Sequence, residues 1–151
     1  MCIYTHLVTT HLDISACAGC LCTATRKASR AITSVYDRSL APHGIRITQF
    51  TILANLELRG ATPLGELAKF LELDRTTLTR NLELLEEKKW VRSRPAEKDS
   101  RSRILSATNE GRAVVFSAYP AWRKTQDRVA AAVRGNDLSL LSRLAEIPHS
   151  Q

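Results

Sequence analysis

The chain has 151 residues, 44% of them hydrophobic and 25% charged, a balance that supports one folded domain and excludes disorder as its general state. No apolar run approaches the roughly 18 residues needed to cross a bilayer, and no basic stretch with a long apolar one behind it opens the chain, so a cytoplasmic protein with no membrane partner is expected. The formal net charge of +7 favours a polyanionic partner, and aromatic residues, at 5% and scattered, favour duplex DNA over single strands held by base stacking.

Residues 1–16 carry no helical stripe and read as an irregular arm. From Leu21, the positions Leu21, Ala24, Ala28, Ala31, Ile32 and Val35 follow the three-and-four spacing of one helix face, and Pro42, His43 and Gly44 end the run. A second helix is expected with Thr48 as its N-cap, with Phe50, Leu53, Ala54 and Leu56 turned inward, ending near Arg59-Gly60. Thr62-Pro63 reads as an N-cap followed by proline at the first helical position, opening a short third helix with Leu64, Leu67, Ala68 and Leu71 buried.

After a break at Glu72-Leu73, Asp74 is placed to cap a fourth helix whose stripe is Leu78, Leu82 and Leu85. These leucines and Trp90 are expected in the core. Residues 90–94 and 103–107 alternate as strands around a charged loop, a hairpin with a basic tip. Thr108-Asn109-Glu110-Gly111 then opens a long helix, interrupted or kinked at Pro120, and Gly135-Asn136 precedes a last helix with Leu138, Leu141, Leu144 and Ala145.

Two short helices joined by a tight turn and followed by a basic hairpin make a winged helix-turn-helix, whose second helix enters a major groove. Outside its leucine stripe that helix offers Arg75, Thr76, Thr77, Thr79, Arg80 and Asn81, all able to reach base edges or phosphates. Between Arg75 and Arg103 lie nine basic and five acidic residues, so most of the positive excess sits where DNA would lie. Thr76, Thr77 and Arg80 are the first candidates for contacts, with Arg75 and Thr79 next, and Lys98 and Arg103 as phosphate contacts from the wing.

The segments LGELAKFLELDRTTLTRNLELLEEKKWV and RPAEKDSRSRILSAT, the latter followed by NEG, make residues 21–147 resemble the MarR family of winged helix-turn-helix regulators. The resemblance implies a mainly α fold with a small β-hairpin wing (α+β). It also implies a homodimer paired through residues 17–41 and 109–147, with residues 48–107 as the DNA-binding lobe. The family's Asp-x-Arg wing signature falls on Asp99-Ser100-Arg101, which implies that Arg101 enters the minor groove while Asp99 steadies the wing. A narrow minor groove concentrates negative potential, which suits an arginine at a loop tip.

Cys17-Ala18-Gly19-Cys20 has a C-x-x-C spacing that on a helix would put both thiols on one face, and Cys22 lies beside it. Cys17, Cys20 and Cys22 are thus redox candidates, or half of a site for zinc or another thiophilic metal completed by His6, His11 or Asp13. The plain alternative is three small side chains at a subunit interface. Some relatives sense peroxides through a cysteine in a broadly similar place. Others bind small aromatic or phenolic anions, for which Tyr36, His43, Phe50, Phe116, Tyr119 and Trp122 are candidate lining residues, although each is more often an ordinary core residue.

The function expected is therefore a non-enzymatic, homodimeric DNA-binding regulator, a repressor on a pseudo-palindromic operator, released by a small-molecule or redox signal. A thiol or metal enzyme built on the cysteines and a nonspecific architectural DNA binder are the alternatives. No Ser-His-Asp pattern or phosphate loop joins the cysteines.

Overall fold

The computed structural model describes residues 14–96, 102–132 and 146, and the chain divides into two compact units, Met1–Ala31 and Ile32–Gln151. In the first, a 3-10 turn, Ser15–Gly19, leads into helix α1, Leu21–Leu40. The C-x-x-C therefore does not lie on an α-helix as expected: Cys17 sits in the 3-10 turn and Cys20 leaves it in an extended conformation, its N–H donating to the Cys17 carbonyl at 3.2 Å. Of the stripe expected on α1, only Val35 is half buried among the described residues. Leu21, Ala24, Ala28, Ala31 and Ile32 are all exposed.

In the second unit the last turns of α1 are buried at Tyr36 and Leu40, and a short 3-10 turn, Ala41–His43, stops at Gly44 with φ +67°. Helix α2 spans Ile47–Arg59 and starts one residue before the expected cap. Thr48 does not cap it, because the free donors at its start are met elsewhere. The Ile47 N–H donates to Asp37 Oδ1 at 2.8 Å and the Arg46 N–H to Gln49 Oε1 at 3.2 Å. Its inward face is Gln49, Phe50, Ile52, Leu53 and Leu56.

Thr62-Pro63 forms a short strand, β1, rather than the start of a helix. Its residues pair antiparallel with Leu105 and Ile104, and the Thr62 hydroxyl donates to the Gly60 carbonyl at 3.0 Å instead of capping. Helix α3, Leu64–Phe70, follows with Pro63 as its N-cap. Helix α4, Arg75–Glu87, is capped by Asp74 as expected. Strands β2, Val91–Pro95, and β3, Arg103–Ala107, pair antiparallel, and the sheet order β1-β3-β2 puts β3 at the centre with β1 and β2 at the edges.

Helices α3 and α4 each stop without glycine. In both, the residue after the C-cap, Glu72 at φ 51° and Lys89 at φ 59°, takes the left-handed conformation. Leu73 and Trp90 then donate to the Ala68 and Leu85 carbonyls at 3.1 and 2.8 Å. This is the six-to-one closure that satisfies orphan carbonyls at a helix end.

The core gathers Leu40, Ile45, Phe50, Leu53, Leu56, Leu67, Leu78, Leu82, Leu85, Leu105, Val115 and Ala118, with Trp90 only half buried at its edge. Burying a leucine fully contributes roughly 1.5–3 kcal/mol, so the three α4 leucines alone anchor that helix firmly. Helix α5, Asn109–Ala132, continues through Pro120 without interruption. Pairs from the end of α1 tie it down, with Ser39 Oγ donating to the Ala121 carbonyl at 3.2 Å. The final helix expected after Gly135 lies outside the described residues.

Gly111 makes the tightest approach of the described glycines. A Cβ there would meet the Trp90 carbonyl oxygen at 2.1 Å, and that oxygen is also the acceptor for the Thr108 N–H at 3.0 Å. Gly111→Ala must push α5 away from the root of β2. Overpacking of this kind costs about 1–3 kcal/mol, so a lowered thermal midpoint by circular dichroism is expected, and an unchanged midpoint would refute the contact.

Candidate nucleic-acid interface

Helix α4 has two unlike faces because its leucines leave no choice. Leu78, Leu82 and Leu85 are 0% exposed, which turns Arg75, Thr76 and Arg80 to solvent and leaves Thr77, Thr79 and Asn81 half buried along the border. Thr76 and Arg80 are four residues apart and lie on one row. The N-terminal half of this face is basic and hydroxylic, whereas Glu83, Glu86 and Glu87 make the C-terminal half acidic.

The polar residues on that half are not equally available. Asp74 Oδ1 accepts from the Thr77 N–H at 2.9 Å and Asp74 Oδ2 accepts from the Thr77 hydroxyl. The Thr77 proton is thus committed to the cap. Asn81 is partly engaged, its amide donating to the Thr77 carbonyl at 2.9 Å. Arg75, Thr76 and Arg80 keep their donors free for a partner among the described residues.

Strand alternation sorts the wing. Val91, Ser93 and Pro95 share the inner face of β2 with Leu105 and Arg103 across the register, and Arg92 and Arg94 stand on the outer face. Arg92 Nε donates to Ser106 Oγ at 3.2 Å, which holds it along the hairpin. These two arginines were not among the expected contacts, although the alternation Val-Arg-Ser-Arg-Pro carried the signal. Arg103, expected on phosphate, instead turns inward and donates to Glu86 and Ser93. Lys98, Asp99 and Arg101 lie outside the described residues.

Four of the six candidate pocket residues come together. Phe50, Phe116, Tyr119 and Trp122 line a hollow of about 560 Å³ between α2 and α5. Trp122 stacks on both Phe50 and Tyr119, with ring centroids 5.8 and 5.6 Å apart. Tyr36 and His43 do not join them. The Tyr36 hydroxyl donates to Gln126 Oε1 and burial raises its pKa, while His43 Nδ1 lies 3.0 Å from Ser117 Oγ. In the first unit Cys17, Cys20 and Cys22 are free and exposed. Hydrogen bonds from Thr23, and a weaker one from the Cys22 backbone, lower the Cys20 pKa. No group of three metal-binding side chains occurs among the described residues, and His6, His11 and Asp13 lie outside them.

The cap makes an acid-side prediction. Hydrogen bonds from the Thr77 hydroxyl and N–H hold the Asp74 carboxyl below its ordinary value. A carboxyl depressed by folding contributes stability that is complete above the unfolded value, near 3.9, and disappears as pH falls through the folded one. Asp74→Ala is therefore expected to melt earlier than the parent at neutral pH, with the gap closing on acidification. A gap that stays constant with pH would refute the ionised cap.

Comparison with known proteins points the same way. Residues 45–102 match the model of the MarR family. The DNA-bound crystal structure of the transcriptional regulator MosR from M. tuberculosis is 38% identical, covers 84% of this chain and 96% of its own, and superposes with a TM-score of 0.73. The regulator PecS of Dickeya dadantii is 32% identical over 93 residues, 59% of this chain and 55% of PecS. BpsR of Bordetella bronchiseptica, 20% identical over 87% of this chain and 96% of its own with a TM-score of 0.77, shows likeness of fold.

Proposed function

The chain belongs to the MarR family and is a DNA-binding transcription regulator, and from that premise we propose that it is a homodimeric repressor whose α4 reads a pseudo-palindromic operator. The observation that carries this reading is the unspent polar row Arg75, Thr76 and Arg80 beside the outer arginines of the wing. In this proposal Arg80 and Thr76 meet base edges, while Arg75, Thr79, Arg92 and Arg94 meet phosphates or the groove rim. Lys98 and Arg101 extend the wing to the backbone and minor groove, with Asp99 steadying it. Thr77 serves the helix cap and is set aside as a base contact.

Exposed apolar side chains support the dimer. Leu21 is 75% exposed and Phe116 61%, surface that a second subunit would remove from water. The proposed division is thus residues 1–16 as an arm, 17–41 and 109–147 as dimerisation helices, and 48–107 as the reading lobe. Two half-sites about one helical turn apart would match the two-fold axis. No helix among the described residues is long and apolar enough to cross a membrane.

Two features support release by a signal. The aromatic hollow suits a flat aromatic or phenolic ligand, since four rings line it and its charged lining residue, Glu57, is already paired with Arg112 at 2.8 Å. The cysteine cluster suits an oxidant, because a lowered pKa puts more of Cys20 in the reactive thiolate form and Cys17 or Cys22 can close a disulfide. Either signal acts by favouring a dimer whose reading heads no longer match the operator spacing.

Footprinting of the purified protein on the promoter of its own gene tests the function, with protection at physiological salt and none on random duplex expected. Equal binding to both would refute it. Arg80→Ala should weaken operator binding about tenfold or more, measured by fluorescence anisotropy. Oxidant should release the parent, and Cys20→Ser should bind the operator normally yet resist release. Release of that variant at the parental rate would remove the redox signal from the proposal.

A further inference from the structure

Arg103 looks in the sequence like one more cation for phosphate, but its guanidinium is already engaged. It stands at the first position of β3, facing inward, and one terminal nitrogen donates both to Glu86 near the end of α4 and to Ser93 Oγ on β2 at 2.9 Å. Three elements, α4, β2 and β3, thus meet at a single side chain. Toward the root of the hairpin the same inner face is filled by Val91 and Leu105, at 3% and 0% exposure, and these lock it into the core. Arg103, paired with Pro95, closes the described part of that face on the side of the wing tip. Its side chain and that of Glu86 are half buried, at 37% and 28% exposure.

We infer that the Glu86–Arg103–Ser93 cluster is a latch that sets the angle of the wing on the reading helix, and so decides how sharply the protein tells its operator from other DNA. The inference rests on the reading of the chain as an operator-binding regulator. A carboxylate beside Arg103 cancels the charge that a phosphate would seek, which argues against direct contact. Half-exposed ion pairs contribute little to stability, so the cluster's effect is geometric. A tilt of 10° moves a group about 10 Å out along the hairpin by about 2 Å, well beyond the roughly 0.5 Å tolerance of a productive site. Contacts from α4 and from the wing then fall out of register with each other. Nonspecific binding, which tracks only charge, suffers far less.

The test compares the full-length parent with Arg103→Gln, Glu86→Gln and the charge swap Glu86→Arg with Arg103→Glu. Each is titrated against the footprinted operator and a random duplex of equal length at several salt concentrations, with a thermal melt of each protein. Both single variants are expected to melt within a few degrees of the parent and to lose about tenfold in the ratio of operator to random affinity. The salt slope should be unchanged for Arg103→Gln, and the swap should regain most of the lost ratio. Arg103→Gln weakening both duplexes alike with a slope shallower by about 0.9 would make Arg103 a phosphate contact and overturn the latch. A swap no better than the singles would also overturn it. A parent that does not discriminate at all would overturn the regulator reading itself, and the latch with it.

Discussion

The complete burial of Leu78, Leu82 and Leu85 constrains which face of α4 the molecule turns to solvent. Helix α4 can rotate about its own axis only by exposing one of these leucines, at a cost of roughly 2 kcal/mol or more for each. Its outward face is therefore determined by its inward one. The Asp74 cap fixes where the helix begins and so which turn of that face comes first. Ending the helix falls to Lys89 in the left-handed region, with Trp90 returning its N–H to Leu85. Because the same Trp90 presents its carbonyl to Gly111 and Thr108, the end of the reading helix, the root of the wing and the start of α5 converge on one residue.

Charge is distributed along α4 as sharply as polarity is distributed around it. Its first half carries Arg75 and Arg80, its second Glu83, Glu86 and Glu87. One of those acids, Glu86, takes Arg103 out of the pool of available cations. The basic surface is consequently narrower than the count of nine cations between Arg75 and Arg103 suggests. Among the described residues, Arg75 and Arg80 lie on the first half of α4 and Arg92 and Arg94 on the outer face of the wing, with Lys88 and Lys89 directly after the helix. A weaker but focused field favours register over bulk attraction.

The two features that could carry a signal differ in kind. The hollow between α2 and α5 is a product of packing, since Phe50 is buried and Trp122 bridges it to Tyr119. The cysteines sit in exposed, locally bonded chain, where hydrogen bonds from Thr23 and the Cys22 backbone lower the Cys20 pKa. Ligand recognition at the first would depend on shape, and chemistry at the second on protonation.

Much of the architecture was legible from residues a few positions apart. Helical periodicity located α1 to α5, alternation located β2 and β3, and Asp74 three residues before Thr77 announced its own cap. Several of the readings that failed depended on a partner beyond the next turn. Thr48 was displaced as a cap by Asp37, Thr62 was drawn into a sheet by Leu105, and Arg103 was turned from phosphate by Glu86. Tyr36 and His43 left the aromatic hollow for Gln126 and Ser117, 90 and 74 positions away. Sequence by itself determined the helices α1 to α5, the hairpin strands, their order and the sign of the surface, because backbone preferences and apolar spacing are set within a turn or two. Only tertiary structure decided which polar groups remain available, because a hydrogen-bond donor can be claimed by any acceptor that the fold brings to within about 3 Å.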